Sequence, residues 1–472
     1  MKLSEFEKKK IYSEASGTMA FVDSNIKMEL NQFGLFEENI VDVSKGVSHS
    51  AILVSPNLNE ALNESIISQE LYSNEPGIQY DERLGYYLST FVGHVNEGNY
   101  RENASSGGMG TWIFKEMFEK KLIDYVIHVK KNKNSNSNQM FKYGISSNVE
   151  EINDGAKTRY YPVELSEVLE EVKNTQGRYA IIGIPSFIYS IRLLSKIDPI
   201  INERVKYTVG LICGHQKSSK FAEAMAFQAG IKPGDLKEID FRHKLLDRPA
   251  NEYGVKMTGI VNGELKTFVK PKADLYGQDW GWGLFKPLAS NFTDDVFNET
   301  ADIVLGDAWL SDYTSDSQGN NIVIIRNKDI DNLVKNANKV NKLNMKNVDV
   351  EVVFKSQASH YRHTHDELSY RLSKKDKNNT WRPKKRVSSS DELPHIRRKV
   401  QDLREILSEK SHLYYQEAVK QNNFNHFVEA MSPYTDDYSK VYRKMGRTYR
   451  IKDMIKKGPI YILKKIVAKL SN

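Results

Sequence analysis

The spacing of apolar and polar positions changes repeatedly between residues 76 and about 330. Short apolar runs predict buried strands, and stretches with apolar residues three or four positions apart predict helices between them. The predicted strands are YVIHVKK (125–131), YAIIGIPSF (179–187), VKYTVGLICG (205–214), NNIVIIRN (320–327) and VDVEVVF (348–354). The predicted helices include ELSEVLEEV (164–172) and SSKFAEAMAFQAG (218–230). This order indicates an α/β or α+β fold with a mixed, largely buried sheet.

Three further segments differ from this core in composition. Residues 1–75 are rich in Ser, Asn and Glu and contain few long apolar periods. Residues 372–394 are polar and charged with turn residues, which is typical of an exposed linker. From residue 395 the pattern is helical to the last residue. We therefore expect segments at 1–75, 76–371, 372–394 and 395–472.

A glycine-rich turn lies before one predicted helix. Ser105, Ser106, Gly107 and Gly108 precede apolar residues that recur at helical spacing from Trp112. We expect the serines near the N-cap and the glycines in the first turn, where free N–H groups and the helix dipole favour an anion. Glycine also allows the backbone to approach a ligand closely. The alternative is an ordinary capped helix start, since the spacing fits neither a Walker loop nor a GxGxxG motif.

Three predicted strands are followed by residues suited to a binding site. These residues are Pro185 with Ser186, Cys213 with Gly214, and Arg242 with Lys244. In an open α/β sheet, ligands bind at the carboxyl ends of the strands, so we expect the three loops to converge on one pocket. The two basic side chains suit phosphate groups. The alternatives are a buried thiol that behaves as a small hydrophobic residue, and a basic pair on the surface.

The composition excludes several classes of protein. The chain has no run of about 18 apolar residues and its first residues lack an apolar segment, so we expect a cytoplasmic protein without a membrane span or a secretory signal. The single cysteine, Cys213, excludes internal disulfides and metal sites built only from cysteines. His360, His363 and His365 lack the spacing of a zinc-binding helix, so no metal site is predicted.

Positive charge is concentrated at the end of the chain. Residues 440–472 contain eleven Lys or Arg and one acidic residue, whereas the whole chain has a net charge of +7. Residues 458–470 (GPIYILKKIVAKL) have the pattern of a basic amphipathic helix. This pattern predicts either peripheral contact with an anionic membrane surface or packing on the protein's own domain. No nucleic-acid-binding module is recognisable, so no nucleic-acid partner is expected.

Six motifs occur in order along the chain. They are ASSGGMGTW (104–112), KTRYYP (157–162), GIPSFIYSIR (183–192), GLICGHQKS (210–218), IDFRHK (239–244) and NFTDDVFNETADIVLGDAW (291–309). Together they resemble the beta subunit family of coenzyme F420 hydrogenases and dehydrogenases, over roughly residues 10–372. The resemblance implies an FAD-binding α+β core that passes hydride or electrons to a second substrate. Relatives of this family also occur among polysaccharide biosynthesis genes.

The resemblance also implies a set of cofactor-binding residues. Thr158, Arg159 and Tyr160 stand where the family has Ser-Lys-Tyr, while Gly183, Gly306 and Asp307 match it directly. The residues carried over are Ser105, Ser106, Gly107, Gly108, Thr158, Arg159, Tyr160, Pro185, Ser186, Cys213, Gly214, Arg242 and Lys244. In this interpretation the glycine-rich turn approaches the diphosphate of FAD and the cations neutralise it.

The cysteine motifs of the family are missing. Where family members carry CxxCGxCxxxCP, this chain has Ser13, Ser16, Met19 and Asp23. Other family cysteines are replaced by Ser55, Ser186, Ser290 and Thr293. Iron–sulfur clusters need thiolate ligands, so none is expected here and residues 1–75 are interpreted as a degenerate ferredoxin-like segment.

Three functions are compatible with these patterns. The first, which we favour, is an FAD-dependent oxidoreductase without iron–sulfur clusters that acts in surface polysaccharide biosynthesis. Its redox donor and its small-molecule or glycan substrate are not specified by the sequence. The second is a nucleotide-sugar or glycan-modifying enzyme that reuses the same pocket. The third is a non-catalytic scaffold or a peripheral membrane partner.

Overall fold

The computed structural model describes residues 1–134 and 139–456, with side chains as far as residue 446. The strands of this part of the chain are β1 (Ile26–Leu30), β2 (Phe36–Ile40), β3 (Gln79–Asp81), β4 (Gly85–Tyr87), β5 (Ser89–Val95), β6 (Tyr125–Lys131), β7 (Phe141–Ser146), β8 (Tyr179–Gly183), β9 (Val205–Leu211), β10 (Leu236–His243), β11 (Gly254–Val261), β12 (Glu264–Pro271), β13 (Ile303–Asp307), β14 (Asn321–Ile325) and β15 (Leu343–Asn347). Four strands predicted from apolar runs are confirmed, as β6, β8, β9 and β14.

Helices connect most of these strands. The α-helices are α1 (Leu3–Lys9), α2 (Thr18–Val22), α3 (His49–Leu53), α4 (Glu64–Tyr72), α5 (Tyr100–Asn103), α6 (Met109–Glu119), α7 (Val149–Asp154), α8 (Ser166–Asn174), α9 (Pro185–Ser195), α10 (Pro199–Arg204), α11 (Ser219–Gln228), α12 (Ser311–Thr314), α13 (Lys328–Lys339), α14 (Val350–Thr364), α15 (Asp366–Lys377), α16 (His395–Lys420) and α17 (Phe424–Lys456). Short 3₁₀ helices cover Lys10–Tyr12, Ala250–Glu252, Lys272–Asp274, Trp280–Trp282 and Leu288–Phe292.

The main sheet contains eight strands in the order β15-β5-β14-β13-β9-β8-β6-β7. Its central strands β13, β9, β8 and β6 are parallel, and each of the outer strands β14, β5, β15 and β7 pairs with its neighbours in antiparallel fashion. Successive residues of β14 show that both faces of the sheet are covered. Ile322 and Ile324 belong to one apolar cluster, whereas Val323 and Ile325 belong to another. The expected α+β fold with a mixed, buried sheet is therefore confirmed.

Helices from different parts of the chain cover the two faces. Apolar residues of α6 and α13 pack on one face, and those of α8 and α9 pack on the other. The N-terminal segment joins the second of these layers, because Phe6, Met19 and Ile26 belong to the same apolar cluster as Leu169 and Ile188. Residues 1–75 thus share the core of the main sheet instead of forming a core of their own.

A second apolar cluster lies beside the main sheet. Strands β10, β11 and β12 form a separate antiparallel sheet, and its inner residues pack with α11 and the two long helices α16 and α17. Phe285 is 1 % exposed and its ring contacts those of Tyr415 and Phe427, which joins the core to the C-terminal helices. The helical pattern predicted from residue 395 is confirmed through residue 456. The amphipathic pattern at 458–470 falls outside the described residues.

Membrane spanning was not expected from the sequence. Among the helices that the structure describes, none combines the length and the apolar character needed to cross a bilayer.

One prediction about the region after residue 347 is wrong. VDVEVVF (348–354) was predicted as a strand but begins α14, because the side chain of Asp349 caps the helix by accepting a hydrogen bond from the Glu351 N–H at 2.8 Å. Its β-branched residues suggested a strand, yet local capping and burial on one face favour the helix.

The segment predicted as an exposed linker, residues 372–394, also contacts the core. Lys385 lies 3.3 Å from Asp294, and Arg386 lies 2.7 Å from Glu299.

Arg326, just after β14, connects the main sheet to the segment that precedes β13. The side chain is fully buried and donates hydrogen bonds to five backbone carbonyl groups. The acceptors are the carbonyl oxygens of Leu84, Tyr86, Phe297, Asn298 and Ala301. The guanidinium group thus has acceptors for its hydrogen-bond donors, and the buried carbonyl groups have a donor.

We predict that Arg326→Met lowers the free energy of unfolding by about 3 kcal/mol or more, because it leaves several buried carbonyl groups without a donor. The matched control is Arg178→Met, which removes an exposed pair with Asp124 at 2.8 Å and should cost less than about 1 kcal/mol. Urea denaturation followed by circular dichroism measures both effects. Equal losses in the two variants would contradict the structural role of Arg326.

Candidate functional site

A cavity of about 300 Å³ lies at the carboxyl ends of β8, β9 and β13. These parallel strands are neighbours in the main sheet, and Gly183, Leu211 and Asp307 mark where each one reaches the cavity. Further walls come from the turn before α6, residues 155–161, β10, strands β6 and β7, the start of α9 and the loop after β9. The volume is at the lower end of the range for small-molecule sites, about 300–1,000 Å³. The position at the strand ends is the one predicted for an open α/β sheet.

The glycine-rich turn lies at the cavity but is built differently from the prediction. Helix α6 begins at Met109, and Gly108 is its N-cap with a left-handed φ of 95°. A side chain at Gly107 would meet Asn321 Oδ1 at 2.6 Å and the Gly93 carbonyl oxygen at 2.8 Å. The expected position of both glycines in the first turn is therefore wrong. Gly107 lets the turn pack against the sheet, and it does not line the cavity.

The two serines of this turn are engaged in hydrogen bonds within the protein. Ser105 Oγ accepts a hydrogen bond from the Thr158 N–H at 3.0 Å, and Ser106 Oγ donates one to the Asn320 carbonyl at 3.1 Å. Lys244 Nζ donates to the Ser106 carbonyl at 3.0 Å. Both serines line the cavity, whereas Lys244 does not. Lys244 thus holds the turn in place, and burial lowers its pKa to about 7.

Arg159 and Arg242 bring two guanidinium groups to the cavity. Arg159 donates to the Ala156 carbonyl at 2.9 Å, and Arg242 pairs with Asp307 at 2.5 Å. The Nε atoms of both arginines are buried without a hydrogen-bond partner in the described chain. Arg242 belongs to the separate sheet of β10–β12 and not to a loop of the main sheet, which corrects its predicted position. Two elements of different origin therefore place positive charge at the same cavity.

Further titratable groups line the inner wall. Burial raises the pKa of the Cys213 thiol to about 11 and lowers that of Lys217 to about 7. His215 has a pKa well below its ordinary value because of burial, and its Nε2 atom has no partner within the described residues. The His215 ring packs on Trp280 at 5.0 Å between centroids, and Trp280 packs on Tyr160 at 4.6 Å. Burial keeps the thiol and the phenol of Tyr160 protonated near neutral pH, since it raises the pKa of both groups.

The structure brings eight of the thirteen predicted site residues to the cavity lining. They are Ser105, Ser106, Gly108, Thr158, Arg159, Tyr160, Cys213 and Arg242. The other five, which do not line it, are Gly107, Pro185, Ser186, Gly214 and Lys244. Pro185 and Ser186 begin α9 and turn away from the strand end, so the expected convergence of all three loops is only partly correct.

Sequence reasoning did not single out several residues of this cavity. Lys157 and Lys217 add positive charge, and Tyr143 and Phe187 add apolar surface. Lys217 lies inside the quoted motif GLICGHQKS and was recognisable as a basic residue after a strand end. Tyr143 follows no motif, since it reaches the cavity from an antiparallel edge strand. In the described part of the chain, no group of three or more His, Cys, Asp or Glu residues could hold a metal ion.

Two family models match adjoining segments of the chain. Both describe the beta subunit of coenzyme F420 hydrogenase/dehydrogenase. The model of its N-terminal part matches residues 90–170, and the model of its C-terminal part matches residues 176–351. Together they cover more than half of the chain and contain all the predicted site residues.

Comparison with whole proteins adds one similar structure. No curated protein sequence matches the chain. Among solved structures, the chain is similar to a chain of the F420-reducing [NiFe] hydrogenase complex from Methanosarcina barkeri. The two are 16% identical with a TM-score of 0.47, over 64% of this chain and 97% of that chain.

We predict that Gly107→Ala destabilises the protein whether or not a ligand is present, because the new methyl group meets backbone atoms of the sheet. The matched control is Gly110→Ala in α6, where the nearest atom to an added Cβ is Leu305 Cδ1 at 3.9 Å. That change should be neutral or slightly stabilising, since alanine favours a helix. Thermal unfolding of the two variants measures the difference. A Gly107→Ala protein as stable as the wild type would contradict the packing role of Gly107.

Proposed function

Because this chain belongs to the coenzyme F420 hydrogenase/dehydrogenase beta subunit family, we propose that it is an FAD-dependent oxidoreductase that works without iron–sulfur clusters. The family is of the oxidoreductase type, and the cofactor and the missing clusters are the parts that we add. Through the resemblance to relatives among polysaccharide biosynthesis genes, we place its substrate among the precursors of surface glycans.

One observation carries the assignment of FAD. Three buried nitrogen atoms, Arg159 Nε, Arg242 Nε and His215 Nε2, have no hydrogen-bond partner in the described chain, and all three residues line the cavity at the strand ends. Buried polar nitrogen atoms without partners are rare in folded proteins, because each lost hydrogen bond costs about 1–3 kcal/mol. The two arginine Nε–H groups are donors, whereas the role of His215 Nε2 depends on the tautomer of the ring. A diphosphate supplies several acceptors and negative charge. The donor set therefore fits FAD.

The basic residues would hold the diphosphate of the cofactor. Arg242 is oriented by Asp307 and packs against the ring of Trp309 at 5.2 Å, so its guanidinium group has little freedom to move. Arg159 approaches from the opposite segment, where its guanidinium group lies over the Phe141 ring at 4.9 Å. Two immobilised cations bind an anion with a smaller loss of side-chain entropy than two mobile ones.

The apolar part of the cavity would contact the flavin ring and exclude water. Tyr143, Phe187 and Leu305 line this part. Tyr143 Oη donates to the Ile182 carbonyl at 2.9 Å, so its polar end is already satisfied. FAD, when bound, supplies hydride and electron transfer. The phenol of Tyr160, whose pKa burial raises well above the ordinary value, stays protonated and can donate a hydrogen bond at this cavity.

Side chains at the former cysteine positions support the absence of iron–sulfur clusters. Ser13 Oγ donates to Glu38 at 2.6 Å, and Ser16 Oγ donates to Ser190 Oγ at 3.0 Å. Ser290 and Thr293 both donate to the buried carboxyl group of Glu14 at 3.4 Å. These hydroxyl groups have partners within the protein, and they are not thiolates.

We predict that the purified protein retains FAD and that Arg159→Met weakens FAD binding by about 10- to 100-fold, because a cation facing the diphosphate is lost. The visible flavin absorption bands, which bleach on reduction with dithionite, show that FAD is bound. Titration of the deflavinated protein with FAD then gives the affinity. The matched control is Arg248→Met, since that side chain is 40% exposed and lies outside the cavity lining.

The control variant should bind FAD like the wild type. A protein that is colourless and takes up no added FAD would exclude the flavin assignment. It would leave the scaffold and the nucleotide-sugar enzyme as the remaining functions. Equal affinities of the wild type and Arg159→Met would show that the diphosphate binds elsewhere.

We further predict that protein purified under anaerobic conditions contains no stoichiometric iron or acid-labile sulfide, since Cys213 is the single cysteine of the chain. Colorimetric assays of iron and sulfide measure this, with a bacterial ferredoxin assayed in parallel. Two or more iron atoms per chain, accompanied by sulfide, would contradict the proposal.

A further inference from the structure

A second cavity, of about 520 Å³, lies where the C-terminal helices meet the core. Its walls come from the loop after β9, the turn around Trp280–Trp282, and helices α14, α16 and α17. Eight of its fifteen lining residues follow residue 351, where the matched family segment ends. The cavity is therefore formed in large part by a region that the family models do not describe.

The lining carries more positive than negative charge. It contains three side chains with a basic group, three histidines and one carboxylate. These are Lys286, Arg362, Arg404, His215, His360, His363 and Asp279. Positive groups that line a cleft with low-dielectric walls attract anions.

One carboxylate behind the lining compensates part of this charge. Glu367 is fully buried and lies 3.3 Å from Arg362 and 3.1 Å from Arg404. It also pairs with Arg397 and lies 3.2 Å from His363. One carboxylate carries a single negative charge and is shared by three arginines. Positive charge therefore remains on Arg362 and Arg404, which line the cavity.

Two buried cations have no carboxylate partner in the described part of the chain. Lys286 is 3 % exposed and its ammonium group donates to the side-chain oxygen of Asn291. Arg371, 2 % exposed, donates to the carbonyl groups of Asn291 and His363 and to Gln401. Burial lowers the pKa of Lys286 well below its ordinary value and that of Arg371 to about 9. An anion in the cavity would favour the protonated, charged form of Lys286, which lines it.

Aromatic rings form another part of the wall. Trp280 lines the cavity together with Tyr438 and Tyr442, whose ring centroids are 4.6 Å apart. Aromatic faces in a binding site pack against flat rings and also against the C–H faces of sugar rings. Cations beside aromatic faces are therefore suited to a molecule that has both a charged group and a ring.

We propose that this cavity binds a small organic anion in which a phosphate or a carboxylate is attached to a ring. The charged group contacts Lys286, Arg362 and Arg404, and the ring packs on Trp280. His215 lines both cavities, so this ligand lies next to the contents of the cavity at the strand ends. Its role as the substrate of a flavin reaction rests on the proposed function, whereas its binding does not.

Calorimetric titration of the full-length protein tests the proposal with defined probes. The probes are glucose 1-phosphate, glucuronate and inorganic phosphate, with glucose as the uncharged control. We expect one of the two charged sugars or both to bind and glucose to give no detectable heat. Binding of glucose 1-phosphate alone identifies phosphate as the recognised group, and binding of glucuronate alone identifies carboxylate. Inorganic phosphate should bind more weakly, since it has no ring.

A variant locates the binding. Arg362→Gln should weaken binding of the charged sugars by about tenfold or more. Its side chain is 42% exposed, so the fold should be retained. The matched control is Lys355→Gln, on the same helix, with a side chain that is 64% exposed and outside the cavity lining. That variant should bind like the wild type, which shows that a loss of net charge is not the cause.

Two results would overturn the proposal. One is the absence of binding for both charged sugars. The other is weaker binding in Arg159→Met but not in Arg362→Gln, because the probes would then occupy the cavity at the strand ends. The flavin absorption of the same preparation separates this inference from the proposed function. If the protein contains flavin but binds neither charged sugar, only the ligand proposed for the second cavity is overturned. If it binds a charged sugar but contains no flavin, only the FAD assignment is overturned.

Discussion

Buried positive charge is the constraint on which the rest of this structure depends. A buried cation needs a counter-charge or hydrogen-bond acceptors, because its transfer from water is very costly. Arg326 meets this requirement with backbone carbonyl groups, and Arg242 meets it with Asp307. Lys286 and Arg159 meet it only with neutral oxygen atoms. Lys286 lines the second cavity and Arg159 lines the first, and this positive charge is the reason why we propose anionic ligands for both.

The arrangement of the sheet decides where these charges meet. Parallel strands place their carboxyl ends at one edge of the sheet, where β8, β9 and β13 reach the first cavity. The three-stranded sheet then brings Arg242 to this edge from another part of the chain. Helices α16 and α17 contribute the far wall of the second cavity. The family core thus supplies the first cavity, and the C-terminal helices complete the second one.

Local patterns predicted the elements better than their contacts. Apolar runs such as YVIHVKK were sufficient to predict β6, because both faces of that strand are buried. The same logic failed for residues 348–354, where a capping Asp349 outweighs strand preference. Gly107 was expected to serve a ligand, but the constraint on it comes from Gly93 and Asn321, which are distant in sequence. No local pattern indicates such contacts, and the second cavity was missed for the same reason.

The partition between the two cavities consists of side chains and not of strands. The ring of Trp280 contacts that of Tyr160 edge to face and that of His215 at a tilt. Replacement of one of these rings by a small side chain would enlarge the space beside it without breaking a hydrogen bond of the sheet. A few mutations at these rings could therefore change which molecules the protein binds, while the sheet stays the same.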